Sequence, residues 1–186
     1  KKVCEEIGVS VAMTSENCPT GTDRIFEATK NLKFDVVINI QGDEPLIDQS
    51  YINPLAQAFI DNPQLDMATL AHPLAPEDVE NRNAVKVITN VKSEAIYFSR
   101  FAIPYSRGAF GADSKAALKH IGLYGYTSDF LQKFCSTPAC ELEKHESLEQ
   151  LRALYLGAKI KVIEVQKPTY GVDTPEDLRK LEALLK

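Results

Sequence analysis

The sequence has no tryptophan, no C-x-x-C pair and no excess of basic residues. Its four cysteines, Cys4, Cys18, Cys135 and Cys140, lack the close pairing of a zinc knuckle or a dithiol redox motif. They read as reduced thiols of a cytoplasmic protein. Acidic residues number 26 and basic ones 21, a formal charge of −5, which is a poor basis for gripping a nucleic-acid backbone. No apolar run comes near the roughly 20 residues of a membrane span. The opening Lys1-Lys2-Val3-Cys4-Glu5-Glu6 carries no apolar signal-peptide core. Also missing are a phosphate-binding G-x-x-x-x-G-K-[ST], a dinucleotide G-x-G-x-x-G, a zinc H-E-x-x-H and a nucleophile G-x-S-x-G. His145-Glu146 lacks the second histidine of such a zinc motif.

What is present is ordinary globular composition: 186 residues, 44% hydrophobic and 25% charged. That fits one domain, and a chain of this size buries roughly 70% of its unfolded surface without staples. The sequence opens without Met, inside a helical pattern of Val3, Cys4 and Ile7 that Gly8 can end, so an upstream segment is expected. Short strands are expected at Val9–Met13, Asp35–Gln41, Asp66–His72, Ala84–Thr89, Ala95–Arg100, Leu118–Tyr126 and Lys159–Val165. The run at Asp35–Gln41 suits a strand buried on both faces, whereas Ala84–Thr89 alternates like an exposed one. Helices are expected at Ile25–Leu32, at Asp48–Ile60 with Ile52, Leu55, Phe59 and Ile60 inward, and at Glu143–Leu156 with Leu148, Leu151, Leu154 and Tyr155 inward. The last helix, Pro175–Leu185, starts at a Thr174/Asp177 capping box with Pro175 at its first position. Alternating strands and helices argue an α/β fold with a mixed, mainly parallel sheet. The strand-rich stretch from 84 to 126 is an antiparallel insertion on it, and Ser106–Lys119 reads as a mobile loop.

Several turns could carry chemistry. Gln41-Gly42-Asp43-Glu44-Pro45 follows the most apolar strand, and ligands of open α/β sheets sit beyond the carboxyl ends of strands. Carboxylates there suit Mg²⁺ shared with phosphate oxygens, although a solvated strand-ending turn uses the same residues. Asp173, in Gly171-Val172-Asp173-Thr174-Pro175, is not needed for the cap beside it. If it converges with Asp43, the pair makes a two-carboxylate cation site. Thr20-Gly21-Thr22-Asp23-Arg24 leads into a helix whose first N–H groups suit an anion or a base edge, or Thr22 simply caps that helix. His120, Gly122, Tyr124 and Tyr126 share one strand face, lining either a polar pocket or an aromatic core. Arg100 ends a strand with a guanidinium fit for a carboxylate or for a surface ion pair. Glu149 and Gln150 edge their helix's apolar stripe, or face water.

Together these segments resemble the CMP-Kdo synthetase (3-deoxy-manno-octulosonate cytidylyltransferase) family. The resemblance runs along nearly the whole chain: TGTDR at 20–24, NIQGDEPLI at 39–47, NAVKV at 83–87, YFSR at 97–100, HIGLYGY at 120–126, LEQLR at 148–152 and GVDTPEDL at 171–178. It implies a Rossmann-like nucleotidyltransferase working as a cytoplasmic homodimer. Such an enzyme uses CTP and Mg²⁺ to activate Kdo for lipopolysaccharide assembly in Gram-negative bacteria. By matching motif, Asp43 and Asp173 would hold Mg²⁺. Gly21, Thr22 and Arg24 would lie along the cytidine, and Gln41, Arg100, His120, Tyr124, Glu149 and Gln150 would line the Kdo pocket. Family members carry a further N-terminal segment with a basic loop for the triphosphate. Two other readings stay open: a transferase for a related 2-keto sugar acid, or a sugar-binding fragment without turnover.

Overall fold

The computed structural model describes residues 1–107, 116–167, 169–172 and 174–185. Part of the expected loop at 106–119 lies outside these residues, as does Asp173. The described strands are β1 (Val36–Asn39), β2 (Met67–Pro73), β3 (Lys86–Thr89), β4 (Ala95–Ser99), β5 (Leu118–Thr127) and β6 (Ile160–Glu164). They form one mixed sheet of order β4-β3-β5-β2-β6, with β1 also paired to β5. The α/β class is as expected, but the sheet is not mainly parallel. Among the described strands only β2 and β6 run parallel. The reason is the long β5, which is not an appendage but the centre of the sheet. It returns between β1 and β2 and so runs against both.

Helices cover both faces. They are α1 (Lys2–Glu6), α2 (Gly21–Thr29), α3 (Gln49–Asp61), α4 (Ser128–Cys135), α5 (Glu141–Glu146), α6 (Gln150–Tyr155) and α7 (Pro175–Leu184). On one face α3 buries Tyr51, Leu55 and Phe59 against Ala68, Leu70, Ile121 and Leu123. Each such side chain contributes about 1.5–3 kcal/mol of burial. The approach is so close that a Cβ on Gly125 would lie 2.5 Å from the Phe59 ring, so only glycine fits there. On the other face Tyr124 and Tyr126 pack with Phe130, Phe134, Leu151, Val87 and Phe98.

Several expectations need correction. No strand forms at 9–13, where no described segment offers a ladder partner. In α3 the inward stripe takes Tyr51 and leaves Ile60 exposed, because Ile60 falls a residue past the Leu55/Phe59 row. In β3, Lys86 and Val87 are both fully buried, since β4 and β5 flank the strand. The single helix expected at 143–156 is two helices. Ser147 adopts a left-handed φ of 52°, which ends α5, and Tyr155 points to solvent. Helix α4 was not foreseen at all. Its N-cap is Thr127, whose side chain accepts from the Phe130 N–H, at the end of an aromatic strand where periodicity switches. The capping box at Thr174 and Asp177 is present as read.

Candidate active site

β1 and β3 border the same edge of β5 without meeting. β1 pairs with Tyr124–Thr127, and β3 pairs with Leu118 and Lys119. A bond from the His120 N–H to the Val85 carbonyl (2.8 Å) closes the β3 end. Between them, around Gly122, this edge of β5 is left open. The chain leaves β1 there, into the Gln41–Pro45 turn. Such a split beyond a strand end is where α/β sheets bind ligands.

One wall of the split is buried and hydrogen-bonded. Thr20, not Thr22, caps α2: its side chain accepts the Asp23 N–H at 3.2 Å. Thr22 is 1% exposed and donates its hydroxyl hydrogen to Glu149 Oε1. Its oxygen also lies 3.4 Å from the Tyr126 hydroxyl. Thr22 therefore ties α2 to the start of α6, with its hydroxyl spent inside the protein. Burial, with the Glu149 charge nearby, pushes the Tyr124 and Tyr126 hydroxyls well above the ordinary phenol range. His120, Tyr124 and Tyr126 stack along one face as the sequence suggested, with ring centroids 5.4 and 6.0 Å apart.

His120 is the most informative of these residues. Its Nε2 lies 2.9 Å from Thr69 Oγ1. That hydroxyl has a single hydrogen, and the Leu123 carbonyl accepts it at 2.8 Å, with the Ile121 carbonyl at 3.2 Å. Nε2 must then be the donor to Thr69, which leaves Nδ1 a bare acceptor. Burial among Phe98, Tyr124 and Thr69 lowers the imidazolium pKa to about 3. At neutral pH the ring is an uncharged acceptor of fixed orientation. Thr69 was missed by sequence reasoning. The signal was a lone hydroxyl in the apolar run MATLAHP, opposite HIGLYGY.

The other wall is made of turns. Asp43 is exposed, and its carbonyl accepts the Val172 N–H at 2.8 Å. Glu44 Oε1 accepts the Thr169 hydroxyl at 3.3 Å, and Gly171 packs against the same carboxylate. The two acid-bearing turns are thus joined. Asp173 follows Val172 directly but lies outside the described residues, and no group of three metal-ligating side chains occurs among the described ones. The Gln41 amide lies 3.8 Å from where a Gly21 Cβ would be, which brings this turn to the start of α2.

Two of the expected site residues make bonds within the chain. The Arg24 guanidinium donates to Thr14 Oγ1 and the Ser15 carbonyl, pinning the incoming chain to α2. The Arg100 guanidinium donates to the carbonyls of Glu146, Arg82 and Ser147, at 2.8, 3.1 and 3.3 Å. It braces the turn that precedes Glu149, and none of these partners is a carboxylate. Gln150 is 4% exposed, at the first turn of α6. Lys86 was not foreseen. Its buried ammonium donates to the Arg100 and Asn81 carbonyls, and burial lowers its pKa.

The profile of the cytidylyltransferase family matches residues 1–160. The chain belongs to the cytidylyltransferase family. As a cytidylyltransferase it is a nucleotide-transferring enzyme, and its likeness to relatives extends over its whole length. It is 56% identical to a 3-deoxy-manno-octulosonate cytidylyltransferase of Bdellovibrio bacteriovorus, over 100% of this chain and 76% of that protein. It is 45% identical to one of Anaeromyxobacter sp., over 97% of this chain and 73% of that protein. Its fold superposes on CMP:2-keto-3-deoxy-manno-octonic acid synthetase complexed with CTP at a TM-score of 0.92 and 39% identity. That match covers 99% of this chain and 75% of the other. For this cytidylyltransferase no described helix is long and apolar enough to cross a membrane.

Proposed function

We propose that this chain transfers CMP from CTP to 3-deoxy-D-manno-octulosonate (Kdo), releasing pyrophosphate, with Mg²⁺ as cofactor. The observation that carries the reading is the bond from the Val172 N–H to the Asp43 carbonyl. It joins the two acid-bearing turns beside the hydrogen-bonded wall of Thr22, Tyr126, Glu149 and His120. The names of similar proteins support the substrate. The anomeric hydroxyl oxygen of Kdo attacks the α-phosphorus in line, and the bond to the pyrophosphate oxygen breaks. The residues' part is positioning and charge placement. His120 Nδ1 accepts a sugar hydroxyl, and Glu149, oriented by Thr22, takes another. The exposed Asp43 carboxylate, with Asp173 of the adjoining turn, has the hard-oxygen chemistry that Mg²⁺ takes. Bound there, Mg²⁺ would neutralise phosphate charge.

A cytoplasmic homodimer completes the reading. Ile96, Phe101 and Tyr105, all in the strand-rich 84–126 region, stand 55%, 63% and 89% exposed, which suits an interface. The test is pyrophosphate release with CTP, Mg²⁺ and a panel of 2-keto sugar acids. Turnover with Kdo above the others is expected. Turnover with a different acid, or none with any, overturns the assignment.

A further inference from the structure

Asparagine is uncommon inside strands, yet β1 ends on Asn39, which is 4% exposed. Its Nδ2 is a buried side-chain nitrogen without a hydrogen-bond partner. Leaving a buried donor unmade costs free energy, and the residue would be better as leucine if packing were its whole role. Register shows where it lies. Asn39 pairs with Tyr124 and Val37 with Tyr126, and directly opposed residues share a face. Val36 and Ile38 pack on the opposite face, in the α3 core. Asn39 is therefore on the face of Tyr124, Tyr126 and His120, at the point where β1 parts from β5 and the split opens. The α2 hydroxyl beside Tyr126 is committed, since Thr22 donates to Glu149.

We propose that Asn39 is a further substrate-binding residue, whose side-chain amide donates a hydrogen bond to an oxygen of the bound sugar acid. The inference rests on the sugar-acid reading of the pocket. A donor at Asn39 and an acceptor at His120 Nδ1, either side of Tyr124, give this floor both polarities a polyhydroxy acid can meet.

The test is calorimetric binding of Kdo and of CTP, measured separately, to the wild-type chain, N39L and N39A, beside thermal unfolding without ligand. N39L removes the donor at nearly constant volume. It is expected to unfold no lower than wild type, while Kdo binds about tenfold more weakly and CTP is unaffected. N39A keeps the binding comparison available should leucine not fit. Equal Kdo affinity in the variants, with lowered stability, overturns the proposal and shows that the amide holds a structural water instead. A wild-type chain that binds no 2-keto sugar acid overturns the Kdo reading and this proposal with it. A wild-type chain that binds beside variants that bind equally overturns this proposal alone.

Discussion

Thr22 and Tyr126 are each 1% exposed, and the Thr22 hydroxyl ends on Glu149. Across the cleft, Asp43 stands in water on a turn that one backbone bond holds against Val172. The wall of Thr22, Tyr126 and Glu149 is thus ordered by side-chain bonds made in the interior. The acidic edge is joined by that main-chain bond and by the Glu44–Thr169 side-chain bond, and it presents an exposed Asp43. A buried network fixes orientation but ties function to folding. An exposed carboxylate on a braced turn can change chemistry at little cost to the fold. Variants on the two sides should therefore separate activity from stability.

The largest effect is expected behind the wall of Thr22, Tyr126 and Glu149. Arg152 is 5% exposed and meets Glu143 with bonds of 2.7 and 2.5 Å. It also lies over the Phe134 ring at 4.4 Å. Arg152→Met strands a buried carboxylate and should cost about 3–5 kcal/mol, read by urea unfolding. A loss under about 1 kcal/mol would show that the α5–α6 brace does not hold the wall. On the acidic edge, Asp43→Asn should lower kcat about a hundredfold and leave the unfolding midpoint unchanged. A matching fall in stability would erase the contrast between the two sides.

The contrast also explains what could be read from the sequence. The shared face of His120, Tyr124 and Tyr126 on β5 was legible because strand alternation leaves a local mark. The Thr174 box was equally plain. The acid turns were recognisable, but their joining depends on a main-chain bond between residues 129 positions apart (172 − 43), which no local pattern records. For Thr22 a cap was one of two open readings, because a threonine at a helix start usually is one. Only the fold brings Glu149 to it. Arg100 read from its charge as fit for a carboxylate or a surface ion pair; two of its three carbonyl partners, Glu146 and Ser147, come from a turn whose left-handed Ser147 was invisible, and the third is Arg82. The parallel sheet was over-read because alternation of strand and helix does not show that β5 runs back through the centre.

A third, smaller effect concerns proton linkage. Folding depresses the His120 pKa from 6.5 to about 3 through burial. Between those values the unfolded chain binds the proton and the native one does not. Stability is therefore full above 6.5 and falls as pH drops through the window, by up to about 1.4 kcal/mol per unit. Burial also lowers the His72 pKa, so the wild-type slope contains both. His120→Gln should flatten only its own share between 6.5 and about 5, before carboxylates titrate. An unchanged slope would mean that the wall is wetter than its packing indicates.

The smallest expected effect is the sharpest test of how the wall is ordered. Thr69→Val keeps the shape of the side chain and removes its hydroxyl, a change worth about 1 kcal/mol of stability. The Leu123 carbonyl loses a donor and His120 Nε2 loses its acceptor, so nothing then selects one ring tautomer. In wild type, imidazole ¹⁵N spectra should show hydrogen on Nε2 alone. In the valine variant they should show both forms in exchange, with Kdo affinity severalfold weaker because the Nδ1 lone pair is present only part of the time. Thr69→Ser should restore the single tautomer and the affinity together. If valine weakens Kdo binding while the spectra stay those of wild type, then Thr69 acts through the register shift between β2 and β5 at Thr69/Leu70 rather than by setting the proton on His120.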